Sequence, residues 1–157
     1  MGGAVRTVIV LSAIAGCAAE AEPPVVQVAG ETLTLASSIR LDSTSVAVLN
    51  VERDACAAFY DGVDSGRIDG EPPMLLGAFA GGAFGVLAID GDDPRTYVTA
   101  RTGAANRVDI DSDIVDIRLE FDVVIRQIRV GLDYDIEELP VDEPFVVEHT
   151  FVAERCR

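Results

Sequence analysis

The chain has 157 residues, 12 basic and 27 acidic, for a formal net charge of −15. That excess argues against binding nucleic acid or anionic headgroups through the protein body, and leaves solubility, cation binding or a basic partner open. Every basic side chain is Arg, which reads as coding bias rather than function. The length suits one domain with a real core.

In chain order, the first feature is a leader. Arg6 is a thin positive region, and Val8 to Ala15 is an apolar run. The run is far short of the ~20 residues that span a hydrocarbon core, but it fits a secretory signal. It ends in Ile14-Ala15-Gly16-Cys17, where small residues can enter a peptidase cleft and a thiol can be alkylated. This segment resembles the lipobox of bacterial lipoproteins, over residues 1–17 only. The resemblance implies that residues 1–16 are removed and that Cys17 carries the lipid. Each buried methylene adds ~0.8 kcal/mol of membrane affinity, so several acyl chains would hold the protein firmly. Ala18 follows the cysteine, where Asp marks inner-membrane retention in the family. The resemblance therefore implies the outer membrane. Ile14, where Leu is commoner, is a departure.

Residues 17–24 then form the lipidated cysteine and a tether. Ala18 to Pro24 is small, acidic and proline-terminated, and reaches roughly 25 Å at most when extended. Residues 25–157 read as a single β domain. Leu33 and Leu35 alternate with threonines, Ile39 and Leu41 follow, and Ser45 to Val51 is rich in Val. A short helix over Glu52 to Tyr60 is the one helical element expected. Phe84 to Ile89 reads as a buried strand, turned through Gly91-Asp92-Asp93-Pro94 into a strand over Arg95 to Arg101. Thr102 to Asn106 is the next turn signal.

Val115, Ile117, Leu119, Phe121, Val123 and Ile125 alternate with mostly charged residues, the mark of a sheet wet on one face. The apolar set then becomes Ile128, Val130, Leu132 and Tyr134. Such a change of phase requires a bulge or bend, expected near Arg126-Gln127. Phe145 to Ala153 is the last strand. The fold class that follows is all-β, an antiparallel β-sandwich or jelly-roll-like fold with at most one short helix.

Cys56 and Cys156 remain as a pair if Cys17 is lipidated. In an oxidising exported compartment they are expected to form a disulfide, closing a loop worth up to ~4.7 kcal/mol in the chain-entropy model. Asp109, Asp111 and Asp113, with Glu120, match four positions of an EF-hand-type calcium loop, but Ile114 stands where that loop turns on Gly. A solvated acidic edge is the competing reading. Asp90, Asp92 and Asp93 make a second acidic turn. Asp64-Ser65-Gly66 resembles the Asp-Ser/Thr-Gly triplet of aspartic proteases; no second such segment pairs with it, and Asp-Ser-Gly is also an ordinary turn. His149, the single histidine, falls in phase with Phe145, Val147 and Phe151, as a structural histidine would. No nucleophile elbow, zinc spacing or phosphate loop occurs.

The expectation is therefore a lipid-anchored protein of the cell envelope. Its β domain binds or supports an envelope partner without catalysis and without a cofactor. A calcium-stabilised adhesion-like module and an aspartic-protease-like hydrolase are the alternatives.

Overall fold

The computed structural model describes residues 22–65, 70, 73–91, 93, 95–103, 106–141 and 144–156. Twelve strands and one helix occur among them. A hairpin comes first, β1 (Val25–Val28) with β2 (Glu31–Thr34), turned through Ala29 and Gly30, both at positive φ. Next come β3 (Ser37–Arg40) and β4 (Ser45–Leu49). Their turn is held by Asp42, whose carboxylate accepts from the Thr44 N–H at 2.7 Å and the Ser45 N–H at 2.8 Å. The Thr44 N–H bond, first among these contacts, favours the charged carboxylate and brings its pKa down to about 2.

The helix α1 (Ala55–Ser65) follows, then β5 (Met74–Phe79), β6 (Phe84–Asp90), β7 (Thr96–Thr102) and β8 (Arg107–Asp111). The longest strand, β9 (Ile114–Val130), leads to β10 (Asp133–Leu139), β11 (Phe145–Val152) and the two-residue β12 (Glu154–Arg155).

The fold is all-β and of the sandwich type. Strands β3 to β7 form an antiparallel meander, and β7 pairs with the second half of β9. Both neighbours of β9 are interrupted. On one edge it meets β8 and then β7; on the other, β11 and then β10. After β11 the chain passes Ala153 into β12, which pairs in parallel with β3. The ladder thus returns to its starting strand, leaving that seam short.

Alternation along these strands fills one main core. Val46 and Val48, Leu76, Leu87, and Val115, Ile117, Leu119 and Phe121 point into it, joined by Val26, Val28 and Leu33 of the first hairpin and by Leu35 just after it. Strand β4 is buried on both faces, because α1 covers the other side. There Ile39, Ala47, Leu49 and Ala55 form a second cluster with Phe59. Cys56 and Cys156, both packed against this cluster, are joined in a disulfide with Cα atoms 5.5 Å apart.

The helix lies later than the Glu52–Tyr60 expected from sequence. Asp54, at positive φ, receives the Ala58 N–H on its carbonyl and begins the helical bonding. The chain then stays helical through Asp61-Gly62-Val63-Asp64-Ser65. Gly62 is buried, so packing overrides the poor propensity of that turn.

The change of phase in β9 also lies elsewhere, at Asp122 rather than near Arg126-Gln127. Arg101 faces Val123 and Thr102 faces Phe121, so Asp122 is the extra residue of a bulge. After it Val124, not Val123 or Ile125, turns into the core. The Thr102–Asn106 signal marks an interruption in one long edge, not a hairpin. Across that gap the Asn106 side chain replaces ladder bonds: it accepts from Glu120 N–H at 2.8 Å and donates to the Gly103 carbonyl at 2.6 Å. Phe84–Ile89, read as a buried strand, begins at the exposed Phe84 and then alternates between buried and partly buried residues along β6.

Candidate functional site

Three places bear on function: an apolar pocket, the acidic residues around β8 and β9, and the hairpin formed by the end of β9 and β10.

The pocket opens where β10 and β11 part. Leu139 and Val141 leave one strand, Phe145 begins the other, and Val124 lies beneath, with Gln27 and Val28 of β1 across. Its volume is about 240 Å³, small for a ligand site. The walls are aliphatic and aromatic, and Gln27 supplies the one polar side chain of its lining. Such walls can bury an apolar group, and among the described residues they offer no acid, base or nucleophile.

The acidic run of β8 spreads out rather than converging. Asp109 lies directly across from Asp116, and Arg107 across from Arg118. Opposite charges offset these contacts: Arg107 reaches diagonally to Asp116 at 2.7 Å and along its own strand to Asp109 at 3.5 Å, while Arg118 meets Glu148, directly opposite on β11, at 3.5 Å. Asp113, in the turn to β9, pairs with Arg155, and its carbonyl accepts the Ala153 N–H. The turn is anchored again by Arg40 on the Ser112 carbonyl. Asp111 closes β8, opposite Ile114. Among the described residues no three His, Cys, Asp or Glu side chains come together as a metal site. Of these carboxylates, Asp113 ties the β8–β9 turn to Arg155 of β12.

In the second acidic turn Asp93 takes the Arg95 guanidinium at 2.8 Å and its backbone N–H at 2.9 Å. The Arg95 side-chain bond, before all else, lowers the Asp93 pKa. Asp90 ends β6, and Asp92 lies outside the described residues. Asp64 and Ser65 are the last two residues of α1, whereas the protease resemblance needs its aspartate in a turn between strands. Gly66, the last of that triplet, and Cys17 also lie outside the described residues.

His149 sits opposite the fully buried Ile117, on the inner side of β11 as its phase indicated. Its ring meets Phe151 edge-on, with centroids 4.6 Å apart. Partial burial disfavours the imidazolium and lowers the pKa below the ordinary 6.5. The folded protein therefore binds this proton less readily than the unfolded chain. The resulting stability is full above pH 6.5 and is lost as pH falls through the lowered value. His149→Gln is expected to lose this component, seen as a shallower acid decline in melting temperature between about pH 7 and 5. Superimposable pH profiles for the two proteins would show that the ring titrates normally.

Alternation alone could not show that the second apolar set lacks a partner. Ile128, Val130, Leu132 and Tyr134 form the apolar set after the change of phase, and all four are exposed, as is Ile136. The core ends at Val124 and Leu139, and the hairpin runs on past it. Compared with protein-family models, with curated proteins and with solved structures, the chain matches none.

Proposed function

We propose that the protein is a lipid-anchored component of a bacterial cell envelope, and that its β domain binds or supports another envelope protein rather than catalysing a reaction. The observation that carries this reading is Ala15-Gly16-Cys17 at the end of a short apolar run. A small, acidic, proline-ended tether follows it and leads directly into β1. The exported location accords with the Cys56–Cys156 disulfide, since such bonds persist in oxidising compartments. The net charge of −15 repels nucleic acid and anionic headgroups, which accords with a domain held beside a membrane rather than in it. Ala18 after the cysteine, in place of the Asp that marks inner-membrane retention in lipoproteins, favours the outer membrane, on its periplasmic or outer face.

Cys17→Ser tests the anchor. Expressed in a bacterium fed labelled palmitate, the unsubstituted chain is expected to take up label and sediment with membranes. The variant is expected to carry no label and to lose the membrane association. Labelling that survives the substitution would place the attachment elsewhere and remove the basis of the proposal.

A further inference from the structure

The hairpin of β9 and β10 combines features that a merely solvated edge does not need. Strand β10 pairs with β9 on one side, and no other strand among the described residues pairs with it. Six of its seven residues are exposed. A free edge presents unpaired backbone N–H and C=O groups, a template for another strand.

Its side chains alternate in kind as well as in direction. Asp133, Asp135 and Glu137 share one face, and Tyr134, Ile136 and Glu138 the other. Glu137 is joined to Arg126 at 3.1 Å, whereas no ion pair among the described residues reaches Asp133 or Asp135. Ile136 is 66% exposed, Val130 54%, and Leu132 at the turn 94%. Charge alone would guard the edge against aggregation, but it does not account for large apolar residues held in water beside it.

We propose that the free edge of β10 is a docking strand for an extended, basic segment of a partner protein, in which Arg or Lys alternates with apolar residues. Backbone hydrogen bonds would add that segment to the sheet. Residues directly opposite across a ladder share a face, so its cations would lie against Asp133 and Asp135 while its apolar side chains cover Tyr134 and Ile136. A second copy fits poorly: antiparallel pairing about Ile136 sets Asp135 against Glu137 twice. An anionic bilayer is opposed by the four carboxylates of β10, Asp133, Asp135, Glu137 and Glu138. This proposal names the partner chemistry for the binding role above, but needs no anchor. It is therefore tested on the full chain carrying Cys17→Ser, so the two readings fail separately.

The probe is a fluorescent heptapeptide, Arg-Val-Arg-Ile-Arg-Val-Arg. One control has Glu for each Arg; another keeps the four Arg but has Pro for each apolar residue. The basic peptide is expected to bind and to slow hydrogen exchange in β10, and neither control to bind. Asp133→Arg with Asp135→Arg is expected to weaken the basic peptide at least about tenfold and to gain binding of the Glu peptide, a gain that a misfolded variant would not show. Four results would overturn the proposal. The Pro control could bind as well as the probe, or the double variant could keep its preference for Arg. The free chain could dimerise through β10, or it could bind anionic vesicles through Leu132 in place of the peptide.

Discussion

Phe121→Ala is expected to lower the free energy of unfolding by about 3–5 kcal/mol, among the largest losses available to one substitution here. Phe121 is fully buried, and its ring stacks on Phe145 with centroids 4.7 Å apart. It also stands at the bulge, where β9 passes from β8 and β11 to β7 and β10. Truncation opens a cavity at the junction of both halves of the ladder, where four strands would have to move together to fill it. Phe121→Leu keeps most of the volume and is expected to cost much less. Denaturant titration measures both. A loss below about 1 kcal/mol for Phe121→Ala would show that the junction collapses easily and that the core is not organised around this ring.

Removing the disulfide ranks with it. Cys56→Ala with Cys156→Ala is expected to cost about 2–5 kcal/mol, because the bond spans 100 residues of sequence. For a domain of this size that lowers the melting temperature on the order of 10 °C. Location matters as much as loop length. The bond ties α1 to the end of the chain, immediately after β12, and β12 holds to β3 through only two residue pairs. Exchange protection should therefore fall first in β3, β12 and α1, while the hairpin of β9 and β10 is unchanged. If the reduced protein melts within a degree or two of the oxidised one, the seam is held by packing of Ile39, Leu49 and Phe59 instead.

Much of this architecture is legible from alternation. Val115, Ile117, Leu119 and Phe121 face inward as the two-residue period requires, and β6 and β7 lie on either side of the Gly-Asp-Asp-Pro signal. Alternation states which residues share a face, but not whether anything covers that face. That is why Ile128, Val130 and Tyr134 form an apolar set in sequence and are nevertheless exposed. The bulge was misplaced for a related reason. Asp122 is an exposed polar residue wherever the register slips, so only the partner strand fixes the position. The alternating carboxylates of Asp109, Asp111 and Asp113 suggested a cation because sequence cannot show the distant Arg155 that pairs with Asp113. The pocket at Val124, Leu139 and Phe145 arises from a gap between two strands lying along the same edge, a tertiary fact with no local pattern. At the other end of the chain, the resemblance of Ile14-Ala15-Gly16-Cys17 to a lipobox rests on sequence alone.

The most direct test of the account is the unreduced intact mass of the full chain, extracted with detergent from the membranes of a bacterium expressing it. The account predicts residues 17–157 carrying acyl and glyceryl groups on Cys17, two hydrogens lighter than the reduced form. An unmodified chain beginning at Met1 would contradict it, removing the anchor and the envelope location together.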